Sequence, residues 1–403
     1  MKIFTDIKEL ITLEGAAKKD GRHVKEEDLS LIKDAAIVSE NGKIKWVGPK
    51  SQLKHTGETI SFGNQNVMPA FTECHTHLIF AGNRAHEFEW RMQGQTYKEI
   101  SAKGGGIRYT VNETRKASEQ QLQDLAQKRA DRFVSQGVTT LEVKSGYGLD
   151  TETEIRSLKV ARRIEGPRII TTYLGAHSAS PDHKSLDEYL NKIEQEIMPR
   201  IAKEKLADRV DIYIEGGFFT PEHAKRYFRA AQALHLHVTA HVEQLSDTQG
   251  TDTTVEFAPQ SVDHLVFISD QTIQKLVKSQ ITAVLLPASD FYLKMQYPRA
   301  RKLIDDGARV ALSTDFNPGT SPTQDLSLVG VLARLEMKMS LPEVFAAYTL
   351  NAAFALGKQA ELGSLTIGKD ADFVVTSAAW TDFFYNVGEH PITHVYRAGD
   401  LLR

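Results

Sequence analysis

Residues 112–149, NETRKASEQQLQDLAQKRADRFVSQGVTTLEVKSGYGL, contain both periodicities that decide the fold. In the first part, Leu122, Leu125, Ala126, Ala130 and Phe133 recur at the three- and four-residue spacing of an amphipathic helix. Directly after Gly137, a short β-branched run reads as a strand. The same alternation extends in both directions. Eight strand-like runs appear: NVMPAFTECHTHL (66–78), VTTLEVKSGYGL (138–149), RIITTYLGAH (168–177), RVDIYIEGGFF (209–219), LHVTAHVEQL (236–245), SVDHLVF (261–267), ITAVLLPAS (281–289) and RVALSTDFN (309–317). Polar segments of helical period lie between them. Such α/β alternation implies parallel strands covered by helices. Eight repeats imply a closed (β/α)8, TIM-like barrel, and the span from His75 to Asp315 approaches the roughly 250 residues that such barrels occupy. A doubly wound open sheet is the main competitor.

Both chain ends depart from this rhythm. AAIVSENGKIKWVG (35–48) sets two alternating arms around Asn41-Gly42, a type I′ hairpin signal. After Leu356, GSLTIGKDADFVV (363–375) and ITHVYRAGDLL (392–402) again read as short strands with glycine turns. Neither end is long enough for a comfortable core of its own. The economical organisation is a small β-sandwich domain made from residues 1–63 and 357–403 together, with a barrel at 64–356 inserted between them.

The bulk composition removes several functional classes. Apolar residues make up 41% and charged residues 25%, as in ordinary soluble globular proteins. A net charge of −3 leaves no electrostatic footprint for nucleic acid. Cys74 is the only cysteine, which excludes a disulfide framework and a thiolate metal cluster. The opening MKIFTDIKEL lacks the apolar segment of a signal peptide, and the uncharged SQITAVLLPAS is too short to cross a bilayer. The expectation is a cytoplasmic protein without membrane or nucleic-acid partners. Its oligomeric state, monomer or homodimer, stays open.

Barrel enzymes place their chemistry at the C-terminal ends of strands. The first run ends in His75 and His77, which share a face if the strand continues through them. The third run ends in His177, the fifth carries His241, the sixth carries His264 and the eighth ends near Asp315. Alone, each histidine reads as structural, and Asp315 reads as a cap on the turn DFNPG. Together they read as a catalytic site in which three histidines and one carboxylate hold a metal and leave room for water. Nitrogen and oxygen donors suit zinc or iron. His86, His183, His235 and His237 have no visible partners and read as loop or packing residues.

MPAFTECHTHL resembles the first-strand motif of the amidohydrolase superfamily, whose layout is a barrel within a split β-domain. CHTHLIFAGNRAHEF, KGGGI, EVKSGYGL, LGAH, DHL and TDFNPGTSP are similar to the corresponding segments of imidazolonepropionases, the ring-opening hydrolases of histidine breakdown. This likeness runs over nearly the whole chain. It implies one zinc or iron ion per chain, held by His75, His77, His241 and Asp315. It also implies that Arg84 grips the propionate carboxylate of 4-imidazolone-5-propanoate, a contact a guanidinium makes through two parallel hydrogen bonds. Tyr147, His177, Asn317, Gly319 and Thr320 match ligand-binding positions, and Tyr97 lines the same pocket. Asp315 would take the proton of the attacking water, and His264 would stabilise the developing oxyanion. The glycines of KGGGI, Gly104 to Gly106, read as a loop that closes over the site.

One position departs from many relatives. Deaminases of this superfamily carry Glu three residues after the fifth-strand histidine, where this chain has Gln244, with Glu243 beside it. An amide cannot act as a general base at neutral pH. The imidazolonepropionase pattern accepts either residue, with Gln244 then hydrogen-bonding the substrate ring. The fourth run also lacks the lysine that bridges two metals in binuclear members, and Lys144 on the second run cannot simply replace it. The alternatives are a metal-dependent aminohydrolase of a purine or pyrimidine, and a non-catalytic scaffold with the same fold.

Overall fold

The computed structural model describes residues 1–95, 99–100 and 103–403, so Tyr97 lies outside the described residues. The first strands are β1 (Lys2–Ile11), β2 (Leu31–Glu40), β3 (Lys43–Pro49) and β4 (Glu58–Pro69). Then come β5 (Phe71–Glu73), β6 (Val138–Lys144), β7 (Arg168–Ala176), β8 (Arg209–Ile214), β9 (His237–Val242), β10 (Ser261–His264), β11 (Thr282–Leu285) and β12 (Arg309–Leu312). The last strands are β13 (Phe373–Thr376), β14 (Ile392–Arg397) and β15 (Asp400–Leu401).

The strands from both chain ends join in one mixed sheet of order β15-β14-β13-β4-β1-β2-β3. The expected sandwich is thus realised as a single continuous sheet with its own core, where Phe4, Phe62, Phe373 and Tyr396 pack ring against ring. At the β2–β3 turn, Asn41 and Gly42 take φ values of 52° and 77°, as a type I′ hairpin requires. β4 carries this sheet as far as Pro69. Ala70 N then donates to Asp372 O, and the chain enters the second sheet at Phe71. The single run expected over 66–78 is therefore two strands in two sheets, divided at the proline.

β5 to β12 form an eight-stranded parallel sheet in sequence order. Helices between the strands cover it; Glu119–Val134, for example, starts on a Ser118–Gln121 capping box and buries Leu122, Ala126, Ala130 and Phe133. Among the described residues β12 and β5 share no regular ladder. Their ends are joined by an isolated parallel bridge between Thr76 and Phe316, with His77 N donating to Phe316 O at 2.9 Å. His75 N also donates to Ser313 Oγ at 2.8 Å, and the Ser313 hydroxyl donates to Glu73. The barrel closes at the strand ends where His75, His77 and Asp315 sit.

The barrel interior is unusually polar. Leu141 and Val143 of β6, and Val210, Ile212 and Ile214 of β8, join the apolar core. The alternate residues Glu142, Lys144, Asp211 and Asp263 are fully buried and reach one another through ion pairs. Interiors of such barrels are ordinarily filled by Val, Ile and Leu. No helix among the described residues is long and apolar enough to cross a membrane.

Candidate active site

Four donor atoms converge at the barrel seam. His75 Nε2 and His77 Nε2 lie 3.4 and 3.3 Å from Asp315 Oδ1, and His77 Nε2 lies 3.3 Å from His241 Nε2. Tetrahedral bonds of about 2.0–2.2 Å would set neighbouring donors roughly 3.3–3.6 Å apart, so these edges fit one ion. His75 Nε2 and Asp315 Oδ1 are buried without a hydrogen-bond partner among the described residues, as atoms awaiting a cation would be. His264 also comes within 4.8 Å of His75 and His241, so distance alone admits it to the donor cluster. Asp315 takes a left-handed φ of 52°, which turns its carboxylate at the end of the last strand.

The electrostatics suit this role. Burial keeps His77 neutral, with its pKa lowered to about 4, and pushes His177 and His264 well below the usual range. Burial also opposes charge on His75, but Lys144 and burial together are outweighed by Asp263 and Asp315, which raise it to about 9. In the same way burial works against the Asp315 carboxylate, yet the His75 and His77 rings hold it well below the normal range. Neutral imidazoles and an ionised carboxylate are the forms that bind a divalent ion, so His77 and Asp315 are already in the binding form, whereas His75 must give up a proton to bind.

Behind the donors stands a layer that the sequence reading missed. His75 Nδ1 meets Asp263 at 2.7 Å, and His241 Nδ1 meets Asp211 at 3.0 Å. These carboxylates fix the rings so that Nε2 of each points into the site. Lys144 Nζ lies 2.8 Å from Asp211, 2.9 Å from Glu142 and 3.9 Å from Asp263. Glu73 stitches the seam from below by accepting from Thr314 N and Ser313 Oγ. Burial raises its carboxyl to about 8. The available signal was a charged residue at alternate positions of otherwise apolar strands, as in RVDIYI.

A cavity of about 290 Å³ opens above the donors, lined by Arg84, Tyr147, His177, Gln244, His264, Asp315, Asn317 and Thr320 among others. Of the sequence-predicted site residues that the structure describes, all but His75 and Gly319 line this cavity, and those two adjoin it through Asp315 and Arg84. His177 stacks on His77 with ring centroids 5.0 Å apart and holds Gly146 O through Nδ1. Tyr147 rides on the loop that Glu154 pins by accepting from Gly146, Gly148 and Leu149 N–H groups. Burial raises the Tyr147 hydroxyl, partly offset by the Arg84 guanidinium beside it. The Arg84 guanidinium lies over Gly319, where a Cβ would meet Nη2 at 1.9 Å. Gly319 therefore makes room for Arg84. Asn317 spends its amide on its own loop, accepting from Gly319 and Thr320 N–H groups and donating to Asp315 O.

Gln244 faces the cavity and Glu243 does not. The Tyr213 hydroxyl donates to Gln244 Oε1 at 2.9 Å, while Gln244 Nε2 lies 3.4 Å from Ser289 Oγ. Glu243 turns to the opposite side and accepts from Gly250 and Thr251, capping the next helix. Tyr213, Phe218, Leu245, Leu293 and Ile107 complete the apolar wall, and the sequence reading assigned none of them. Gly106 N of the KGGGI segment donates to the buried Glu87, three residues after Arg84.

A profile of the amidohydrolase family matches residues 66–402, which places the chain in a class of metal-dependent hydrolases. An imidazolonepropionase from Bdellovibrio bacteriovorus is 51% identical, over 98% of this chain and 95% of that protein. An imidazolonepropionase from Clostridium tetani is 36% identical over 99% and 97%. Among solved structures, a zinc-bound adenosine deaminase from Xanthomonas campestris superposes with a TM-score of 0.69, covering 99% of this chain and 92% of that one. At 17% identity it shows the shared fold alone. The chain belongs to the amidohydrolase family and, within it, to the imidazolonepropionases. It is a hydrolase of C–N bonds.

Proposed function

We infer that this chain hydrolyses the cyclic amide of 4-imidazolone-5-propanoate to N-formimino-L-glutamate. Full-length similarity to imidazolonepropionases supports the activity. The single observation that carries the assignment of roles is one cavity lined by Arg84 together with His77, His241 and Asp315, with His75 Nε2 3.4 Å from the Asp315 carboxylate. One zinc or iron ion per chain, held by His75, His77, His241 and Asp315, would lower the pKa of water towards neutrality and polarise the carbonyl.

The protein's own groups do the rest. Arg84 binds the propionate, with Tyr147 beside it, and so directs the ring carbonyl towards Asp315. Asp315, ionised at neutral pH, accepts the proton of the attacking water. His264 sits beside the developing oxyanion, a contact typically worth about 3–4 kcal/mol. Gln244, oriented by Tyr213, hydrogen-bonds a ring nitrogen. Water adds to the carbonyl carbon and the ring C–N bond breaks. The carbonyl carbon becomes a carboxylate, and the nitrogen remains in the product as its formimino group. No ammonia leaves. A carboxylate base at position 244, which a deaminase needs to pass protons to departing ammonia, is absent. The test is turnover of the imidazolone, followed by absorbance and product mass with an ammonia assay in parallel.

A further inference from the structure

Among the described residues, Lys144 is the one ammonium inside a ring of three carboxylates, two of which touch candidate metal-binding histidines. Its Nζ lies 2.8 Å from Asp211, which holds His241, and 3.9 Å from Asp263, which holds His75. The third carboxylate, Glu142, is 2.9 Å from Nζ and accepts from Thr76 N at 3.1 Å, between His75 and His77. Lys144 also donates its own backbone N–H to Thr76 O at 2.9 Å. Two of the four candidate ligands, His75 and His241, are therefore oriented by carboxylates that meet this one residue, and the backbone between His75 and His77 is held beside it. We propose that Lys144 is a positioning residue for the metal site: its charge holds Asp211, Asp263 and Glu142 in place, Asp211 and Asp263 fix the imidazoles of His241 and His75, and Glu142 holds the backbone at Thr76 between His75 and His77.

The physical case rests on what the cluster would do without it. Three carboxylates buried on the inner faces of β6, β8 and β10 would repel one another in a low-dielectric interior. They would then rotate apart, and the Nδ1 partners of His75 and His241 would be lost. Buried ion pairs are seldom the cheapest way to fill a core, so stability alone is a weak reason for this one. Orientation of ligand histidines by carboxylates is a strong reason, since disturbing such partners commonly lowers metal affinity by 10–100-fold. Lysine suits the position because its compact ammonium can meet three carboxylates at once.

This inference rests on the metal-site reading above, and zinc binding by the full-length protein separates the two. Zinc affinity is measured by competition with a chromogenic chelator for the wild type, Lys144→Met and Lys144→Gln, alongside the melting temperature of each metal-free protein. Cobalt-substituted protein supplies the visible spectrum of the ligand field. The expected result is at least a tenfold weaker zinc affinity and an altered cobalt spectrum for Lys144→Met. Lys144→Gln keeps one donor for Asp211, and it should fall between Lys144→Met and the wild type. If Lys144→Met does not fold, Lys144→Gln decides alone, with a loss of at least threefold expected. Zinc affinity within twofold of wild type in the folded variants, with an unchanged cobalt spectrum, overturns the proposal even if the melting temperature falls. A wild type that binds no zinc or cobalt overturns the metal-site reading itself.

Discussion

His75 Nε2 and Asp315 Oδ1 face each other at 3.4 Å across the closure of the barrel, one just beyond its first strand and the other just beyond its last. Closing the barrel and assembling the site are thus one event. The same seam hydrogen bonds, from His75 N to Ser313 and from His77 N to Phe316 O, set both.

Asp315→Asn should keep the barrel folded and lose nearly all turnover, because an amide cannot accept the water's proton. Elemental analysis of metal-replete wild type should approach one zinc or iron per chain. A reproducible value of two would contradict the mononuclear reading.

Arg84→Met should raise KM by roughly tenfold or more, with a smaller effect on kcat, as expected for a charge-assisted contact remote from the bond being broken. Steady-state kinetics decide this. Unchanged KM would return Arg84 to a purely structural role over Gly319.

At position 244 the account predicts a graded response. Gln244→Glu should preserve substantial turnover, since a carboxylate of similar size can still accept a ring N–H. Gln244→Ala should weaken substrate binding by about 1–3 kcal/mol, through a lost hydrogen bond and an unpaired ring group. Loss of all chemistry in Gln244→Ala with intact binding would require a proton-transfer role that an amide cannot fill.

Asp290 gives a pH signature independent of catalysis. It is buried beyond β11, both its carboxylate oxygens lack a hydrogen-bond partner among the described residues, and burial, with Asp315 nearby, raises it to about 8. The folded state therefore binds more protons than the unfolded chain between about pH 4 and pH 8, and stability falls as pH rises through that window. Asp290→Asn is neutral throughout and should escape this loss. Its stability advantage should grow between pH 6 and pH 9 by roughly 1–3 kcal/mol. Denaturation at the two pH values measures it, and a gap that stays constant would refute it.

Much of the architecture was legible because it is periodic. The eight runs correspond to β5 through β12, and the Asn41-Gly42 turn and both chain ends fall in one small sheet. The convergence of His75, His77, His177, His241, His264 and Asp315 was legible because a parallel barrel gathers its strand ends, whereas the choice of four of them as ligands came from the likeness to imidazolonepropionases. Asp211, Asp263 and Lys144 were not. In an isolated strand, a charge between two apolar residues reads as a solvent-facing position, and only closure of the sheet turns that face inward. Glu243 and Gln244 posed the opposite difficulty. The sequence sets them side by side, and it takes the left-handed φ of Glu243, 48°, and its capping bonds to separate their roles. The partnership of Gly319 with Arg84 joins residues far apart in the chain, and no local pattern announces it.

The most direct test of the central claim is one incubation of the metal-replete protein with 4-imidazolone-5-propanoate, read three ways. The account predicts loss of the imidazolone absorbance, a product with the mass of N-formimino-glutamate, and no ammonia above the enzyme-free control. Stoichiometric ammonia, or an imidazolone spectrum that persists unchanged, would contradict it.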